Sequence, residues 1–331
     1  YLSWTIKSFI ILITSIFYSF LTFFFIIKNL VIKNILIVFL SITILILFFE
    51  LSISLVHQFN KSKSFEISKK NNLYKNKYPD NYKNYNDSFF TYDKNLGYKA
   101  LPGKYYHQSY FNDEKIFDVS YEIDDKGFRI TPQENLSKEK IHINFFGGSF
   151  VFGLGLDQKK TLPYFFSQLI DKKKYHVNNY GIPGWGPNTS LTLLNQILIK
   201  KKNTSMINVL VFFPGHVYRS SCKVVFSYGT PKYKFKNNKL VKDGKCGLIK
   251  NMFLFKILNK SKVFAYIKDY FYKKPVTETQ NKIFYEIINE FRKISTEQNY
   301  KTFIIILNSM NKDDNYKIDE NYYSPDISIA K

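Results

Sequence analysis

The sequence predicts an α/β fold with a doubly wound parallel sheet, preceded by a small β unit and an N-terminal transmembrane helical hairpin. Short apolar runs that end in glycine-rich loops are typical of the buried strands of a parallel sheet. An alternating segment turned by a glycine is typical of an antiparallel unit. Two long apolar stretches match the thickness of a bilayer. We divide the chain into residues 1–56, residues 57–140 and residues 141–331.

Two stretches near the N-terminus predict the hairpin. Residues 8–27 carry no charge, which gives a helix of about 30 Å, and residues 35–56 contain only Glu50 as a charged side chain. Residues 28–34 between them are too few for anything but a tight turn. A buried soluble hairpin is the alternative. We expect Glu50 to lie near the membrane interface, where its carboxylate reaches water.

The next segment predicts a stalk followed by a small β unit. Residues 57–87 are rich in Lys, Asn, Ser and Tyr and show no periodicity. Residues 116–123 then alternate between apolar and polar side chains, and a turn at residues 124–127 leads into Phe128-Arg129-Ile130. Alternation that ends in a glycine turn favours antiparallel strands.

Ser149 is the candidate nucleophile. The apolar run at residues 141–146 ends at Gly147-Gly148-Ser149, so the hydroxyl comes to the carboxyl edge of the sheet, where α/β proteins bind ligands. A phosphate-binding loop is excluded because Leu154 stands where lysine is required. The nucleophile elbow of α/β-hydrolases is excluded because Val151 stands where glycine is required.

The segment Gly147-Gly148-Ser149-Phe-Val-Phe-Gly153 resembles the first block of the SGNH (GDSL-type) hydrolases, Gly-Asp-Ser-x-x-x-Gly. Gly148 replaces the aspartate, and a helix-like segment at residues 161–170 follows, as in that family. The resemblance extends over residues 96–307. It implies a three-layer α/β/α, flavodoxin-like sheet and a membrane-anchored esterase or acyltransferase.

The second block of that family is an asparagine followed five residues later by a glycine. Residues 175–180 predict the second strand, and Asn179 precedes Gly184 by five residues in the loop beyond it. The resemblance implies that the backbone N–H groups of Ser149 and Gly184 form an oxyanion hole. A glycine suits that role because a side chain would obstruct the close approach of the backbone.

The third block normally ends in an asparagine whose side chain completes the oxyanion hole. Residues 207–213 predict the third strand, and His216 occupies the asparagine position in the loop that follows. An imidazole N–H can donate to an oxyanion as an amide does. A plain loop histidine is the alternative. Arg219 is expected to be a surface arginine, with contact to an anionic substrate as the alternative.

A serine nucleophile also needs a base, which this family takes from an Asp-x-x-His block near the C-terminus. None of the five histidines fits that block. One interpretation is that the block lies beyond Lys331, within about sixty residues of it, since few residues follow the fourth predicted strand at residues 303–307. The other is degeneration, with Asp326-Ile-Ser-Ile at the place of a former block. The histidines are His57, His107, His142, His176 and His216.

A hairpin insertion is predicted beside the site, at about residues 222–246. Its expected arms are residues 224–231 and residues 233–241. Cys222 and Cys246 flank it and are the only cysteines. In an oxidising compartment they can close its base as a disulfide, and two free thiols are the alternative. Helices are predicted at residues 252–272 and residues 278–298.

Composition adds little about function. The net charge is +22 over 331 residues, but the excess is Lys spread along the chain, as in proteins of AT-rich genomes, and no nucleic-acid motif accompanies it. Lys28 and Lys33 favour a cytoplasmic loop, whereas the lysines after residue 56 favour the reverse. The resemblance decides for an external domain, because tethered forms of the family act on envelope polymers.

The resemblance thus implies a serine esterase, O-acetyltransferase or deacetylase, which we expect on the periplasmic side of a bacterial cytoplasmic membrane. The expected substrate is an acylated cell-envelope carbohydrate or another small ester. We expect contact with the lipid bilayer through residues 8–27 and residues 35–56, no cofactor, no metal and no nucleic acid. The alternative function is a non-catalytic envelope protein that binds glycan or organises polysaccharide assembly.

Overall fold

The protein forms two compact units, one with the N-terminal segment and residues 253–268, the other with residues 67–252 and residues 269–331. The structure is a computed structural model. It describes residues 29–45, 48–50, 52, 82–85, 89–111, 114–132, 141–200, 205–247, 261, 263–264 and 275–307.

The first unit contains helix α1 (Leu30–Glu50). Its 21 residues are long and apolar enough to cross a membrane by length and composition, and a signal sequence would meet the same test. The helix begins at Leu30 because the Asn29 side chain caps it, accepting hydrogen bonds from Val31 N (2.9 Å) and Ile32 N (3.4 Å). The expected start at Ile35 is therefore wrong.

The hairpin as a whole stays a prediction, because residues 8–27 lie outside the described residues. Most of the expected stalk and of the expected helix at residues 252–272 also lie outside them. At the end of α1, Glu50 Oε2 accepts hydrogen bonds from Ser261 Oγ (2.7 Å) and Val263 N (3.0 Å) of the same unit.

The second unit begins with the small β unit, which is confirmed. Strands β4 and β5 pair antiparallel, β1 joins β4 in parallel, and β2 and β3 form a separate antiparallel pair. Asp124 shapes the turn after β5, since its Oδ1 accepts from Phe128 N at 2.7 Å. The strands are β1 (Lys83–Asn84), β2 (Phe90–Asp93), β3 (Gly97–Ala100), β4 (Gly103–Phe111) and β5 (Glu114–Ile123).

A parallel four-stranded sheet forms the centre of the second unit, as expected. Its order is β11-β8-β6-β7, and every neighbouring pair is parallel. The remaining two strands of this region, β9 and β10, form a hairpin outside the sheet. The strands are β6 (Ile141–Gly147), β7 (Tyr175–Gly181), β8 (Met206–Phe212), β9 (Pro231–Lys236), β10 (Lys239–Lys245) and β11 (Lys301–Ile306).

The strand order locates the crevice of the sheet. From β6 the chain moves to β7 on one side and then crosses to β8 on the other. The reversal leaves a gap beyond the carboxyl ends of β6 and β8, which is where open α/β sheets bind ligands. Ser149 follows β6 and His216 follows β8, so both lie at this gap.

Helices cover both faces of the sheet, which confirms the three layers. Phe145 of β6 packs against Phe166 on one face, with ring centroids 5.3 Å apart. Phe146 packs on the other face against Phe291, at 5.2 Å. The helices are α2 (Ser149–Phe152), α3 (Leu162–Leu169), α4 (Pro187–Lys200), α5 (Val217–Ser220) and α6 (Glu278–Glu297).

A row of amides crosses the sheet and fixes its register. Asn144 pairs in register with Asn178 on one neighbour and with Asn208 on the other. Asn178 Nδ2 donates to Asn144 Oδ1 (2.9 Å), and Asn144 Nδ2 donates to Asn208 Oδ1 (3.0 Å). Asn208 Nδ2 then donates to Ser295 Oγ of α6 (3.2 Å). A slip of one residue would leave these buried amides unpaired.

The hairpin lies within the expected insertion, but its arms differ from those expected. Its turn is at Asn237-Asn238, where both residues have positive φ (49° and 57°), as two-residue hairpin turns require. Residues 233–241, expected as one arm, therefore contain the turn. Residues 224–231 are not a strand, because a 3-10 turn at Val225–Ser227 interrupts them.

Candidate active site

Ser149 is the first residue of α2 and follows β6 after a single residue, Gly148. Its carbonyl oxygen accepts from Gly153 N (2.9 Å) and Leu154 N (3.0 Å), which closes the short helix. The side chain is half-buried. Among the described residues, none forms a hydrogen bond with its hydroxyl group.

Arg129 of the small β unit holds the loop that follows Ser149. Its guanidinium donates to the carbonyl oxygens of Phe152 (3.0 Å), Gly153 (2.7 Å) and Leu156 (2.7 Å). Arg129 is only 2% exposed, and burial lowers the pKa of its guanidinium to about 10. Sequence reasoning gave Arg129 no role at the site. The only signal was its place in the Gly-Phe-Arg segment before the first block.

Asn179 connects the second loop to α2. Its Nδ2 donates to Val151 O (2.9 Å), and its Oδ1 accepts from Gly181 N (3.0 Å). The side chain is buried. The asparagine of the second block therefore joins the end of β7 to the helix that carries the candidate nucleophile.

Gly184 adopts a left-handed conformation with φ of +89°. A side chain at this position would be strained, and its Cβ would overlap the Tyr98 hydroxyl and come within 3.4 Å of Phe226. Tyr98 Oη donates to Pro183 O (3.1 Å), and Trp185 Nε1 donates to Tyr98 O (3.2 Å). The small β unit thus fixes the loop that carries the predicted oxyanion amide.

His216 is buried in the third loop. It is 1% exposed and packs against Phe213, with ring centroids 4.1 Å apart. Neither ring nitrogen has a hydrogen-bond partner among the described residues. Burial, and to a smaller extent the nearby charge of Arg219, lowers the pKa of the imidazole well below its ordinary value. The ring is therefore neutral at pH 7, with one N–H donor and one free acceptor.

Arg219 is not a surface side chain, so that expectation is wrong. It is half-buried in α5, its Nη1 donates to Trp185 O at 2.8 Å, and its guanidinium carbon lies 5.5 Å from the Phe213 ring and 5.2 Å from the Phe226 ring. Burial lowers its pKa, and the nearby Tyr98 partly opposes that change.

The loops that follow β6, β7 and β8 meet at Gly148. A Cβ built on this residue would lie 2.9 Å from Trp185 O, 3.3 Å from His216 Cε1 and 2.6 Å from Arg219 Nη1. The residue next to Ser149 is therefore in contact with both the loop after β7 and the loop after β8. The catalytic roles of Ser149, and of the oxyanion donors Ser149, Gly184 and His216, stay predictions.

A disulfide lies beside this cluster. Cys222 and Cys246 are joined, with their sulfur atoms 1.97 Å and their Cα atoms 5.2 Å apart. The bond connects the end of α5 to the end of β10. Between them, Ser227 Oγ donates to Arg219 O at 3.0 Å, so the loop that carries Phe226 is fixed against Arg219.

Among the described residues, no histidine or carboxylate forms a hydrogen bond with Ser149. The expected Asp-x-x-His block, and Asp326 with it, falls outside the described residues. Within the same ranges, no cluster of three or more His, Cys, Asp and Glu side chains could hold a metal ion.

The chain is similar to several solved protein structures. One is the SGNH-hydrolase family esterase AlinE4, at 14% identity and a TM-score of 0.25, over 50% of this chain and 77% of that one. Another is a member of the lipolytic G-D-S-L family from Veillonella parvula, at 12% identity and a TM-score of 0.24, with the same coverage. A third is BT4096, a gut microbial diltiazem-metabolizing enzyme, at 16% identity and a TM-score of 0.21, over 53% of this chain and 38% of that one. No family model matches the chain, and no curated protein matches its sequence.

Proposed function

We propose that the protein is a membrane-tethered serine esterase or O-acyltransferase whose nucleophile is Ser149. The Ser149 oxygen forms a bond to the carbonyl carbon of an ester, its proton passes to a histidine base, and the alcohol leaves. Water or a second alcohol then takes the acyl group from the serine. The N–H groups of Ser149 and Gly184 stabilise the oxyanion, and the neutral His216 ring donates a third hydrogen bond.

The contact at Gly148 carries this proposal. A serine that follows a strand is common, but here the residue before it packs so closely that an added Cβ would lie 2.9 Å from Trp185 O and 3.3 Å from His216 Cε1. Strands β6, β7 and β8 therefore deliver a hydroxyl group, a glycine amide and an unpaired imidazole to one edge of the sheet. Acyl transfer through a tetrahedral intermediate requires a nucleophile and oxyanion donors that lie together at one edge of the sheet in this way.

Membrane attachment through residues 8–27 and through the span that begins with α1 (Leu30–Glu50), and an external, periplasmic position, are parts of the proposal. The length and composition of α1 support attachment. The disulfide between Cys222 and Cys246 supports an oxidising compartment. We further propose an acylated cell-envelope carbohydrate as the substrate, a class that an external enzyme on a bacterial membrane would meet.

Labelling with a fluorophosphonate tests the nucleophile. The full-length protein in detergent should become covalently labelled at Ser149, and Ser149→Ala should abolish the label. Ser205→Ala is the matched control, because Ser205 is an exposed residue just before β8, at the opposite edge of the sheet. Labelling that persists in Ser149→Ala, or that is absent from the wild-type protein, would contradict the proposal.

The second candidate function is a non-catalytic envelope protein that binds glycan or organises polysaccharide assembly. One observation favours it: among the described residues, no base forms a hydrogen bond with the Ser149 hydroxyl group. This function predicts no fluorophosphonate labelling, together with binding of acylated glycan that Ser149→Ala leaves unchanged. Loss of labelling and turnover in Ser149→Ala, with binding retained, would favour the enzyme instead.

A further inference from the structure

The Arg219 guanidinium lies at the candidate site with most of its hydrogen-bonding capacity unused. Of its five N–H bonds, the structure assigns one acceptor, Trp185 O at 2.8 Å from Nη1. Among the described residues, the Nε and Nη2 groups have no acceptor. These groups are therefore free to donate hydrogen bonds to a bound ligand.

The charge of Arg219 is also unbalanced. Within the described part of the chain, no Asp or Glu forms an ion pair with it, and the titratable groups that interact with it are Tyr98 and the neutral His216. The position that could have supplied a carboxylate is Gly148, where the motif that this segment resembles has aspartate. The space that a Cβ of residue 148 would enter lies 2.6 Å from Arg219 Nη1.

The surroundings keep the guanidinium in place and accessible. Ser227 Oγ holds the Arg219 carbonyl (3.0 Å), and the Cys222–Cys246 disulfide closes the loop that carries Ser227. The Phe226 ring beside the guanidinium is 48% exposed, so this side of the site is open to solvent. His216, whose two ring nitrogens have no partner in the described part of the chain, lies at the same Gly148 contact.

We infer that Arg219 is a specificity-determining residue that binds a carboxylate or phosphate group of the substrate, close to the ester attacked by Ser149. The inference rests on the proposed function at Ser149 and narrows its substrate class to anionic esters. A planar guanidinium with a free edge suits both oxyanions, because each can accept two parallel hydrogen bonds.

Binding to the Ser149→Ala protein tests the inference without turnover. The probes are 4-acetoxybenzoate and its 3-isomer, each compared with the neutral acetoxybenzamide of the same shape, and 4-acetoxyphenyl phosphate. Affinities are measured by titration calorimetry with the full-length protein in neutral detergent. We expect at least one anionic probe to bind about 10- to 100-fold more tightly than its neutral counterpart. The carboxylate and phosphate probes decide which oxyanion is preferred.

Three further variants, each combined with Ser149→Ala, assign the preference to Arg219. Arg219→Gln should abolish it, and Arg219→Lys should keep part of it, because the charge remains and the paired donors are lost. Arg292→Gln, the same loss of charge on α6, should keep all of it. If Arg219→Gln fails to fold, as judged by circular dichroism, the Arg219→Lys variant and the comparison of anionic with neutral probes still test whether Arg219 causes the preference. Equal affinity for anionic and neutral probes, or a preference that survives in Arg219→Gln, would overturn the inference.

The inference and the proposed function fail in different ways. Labelling of Ser149 and turnover of a neutral ester such as 4-nitrophenyl acetate, without preference for anions, would leave the esterase and remove the anion subsite. Preference for anions without labelling would leave the subsite and remove the esterase.

Discussion

The guanidinium of Arg129 donates a 2.7 Å hydrogen bond to the carbonyl oxygen of Gly153, the residue that ends the helix begun by Ser149. Arg129 lies outside the parallel sheet, in the segment that follows β5. The position of the candidate nucleophile therefore depends on a side chain that precedes the sheet in the chain. The predictions below concern the residues that hold the site together.

Replacing Arg129 with Met should destabilise the protein strongly. The substitution removes the guanidinium donors of the Phe152, Gly153 and Leu156 carbonyl oxygens, of which the Gly153 oxygen keeps a hydrogen bond from Leu156 N (3.1 Å). We expect the free energy of unfolding to fall by about 3 kcal/mol. Urea denaturation of the variant measures it. Arg292→Met on α6 is the control and should cost much less. Equal losses in the two variants would show that the Arg129 contacts contribute little.

Replacing Gly148 with Ala should impair the site more than the fold. The new methyl group would lie 2.9 Å from Trp185 O, a backbone atom, and 3.3 Å from His216 Cε1, so the loops after β7 and β8 must move apart. We expect the rate of fluorophosphonate labelling to fall by about tenfold or more, as small misplacements in active sites do.

Gly244→Ala is the control for this prediction. Its Cβ meets no atom within 4 Å, and its φ of +75° gives a backbone cost of about 1 kcal/mol. The labelling rate of the control should equal that of the wild-type protein. A Gly148→Ala variant that labels at the wild-type rate would mean that the loops tolerate the methyl group.

Acid should destabilise the protein through two buried histidines. Burial lowers the pKa of His216 well below its ordinary value and that of His107 to about 4. As the pH falls below about 6.5, the unfolded chain takes up protons that the folded chain does not. The stabilisation that comes from keeping each histidine neutral is therefore fully present above that pH. Below it, the free energy of unfolding decreases by at most about 1.4 kcal/mol per pH unit for each histidine. Melting temperatures between pH 7 and pH 5 should show a weaker dependence in His216→Gln than in the wild-type protein. Parallel curves for the two proteins would argue that His216 is protonated in the folded state.

Reduction of the Cys222–Cys246 bond should lower stability. The two residues are 24 apart in sequence, and closing a loop of that length contributes about 3 kcal/mol in the chain-entropy description. We expect the melting temperature of the wild-type protein to fall in dithiothreitol. The Cys222→Ala/Cys246→Ala double variant should not respond. Free thiols in the native protein, found by mass analysis without reductant, would contradict the bond and weaken the external location.

The sheet could be predicted from the sequence because each of its strands is a short apolar run that ends in a loop. The convergence of the first three loops could also be predicted, because Ser149, Gly184 and His216 lie in the loops that follow those runs. The bounds of all four strands lie within about two residues of those expected. Parallel strands align their carboxyl ends, so sequence position alone brings distant loops to one edge.

Other features could not be found this way, for identifiable reasons. Arginine is rarely buried, so neither Arg129 nor Arg219 gave a signal of its packing. The bonds among Asn144, Asn178 and Asn208 join three different strands, and no local pattern reports such a pairing. The hairpin arms were misplaced because Asn237-Asn238, rather than a glycine, makes the turn.

The hydrogen bonds of Arg129 limit which parts of this protein can be studied as separate fragments. Proteolytic fragments or recombinant pieces that start at Ile141 would retain all four parallel strands but lose the donor that orders the segment after the nucleophile, along with Tyr98, which packs on Gly184. Such pieces should be insoluble or inert even if every motif residue is present. In evolution, the small β unit and the parallel sheet would be inherited together rather than exchanged as separate modules.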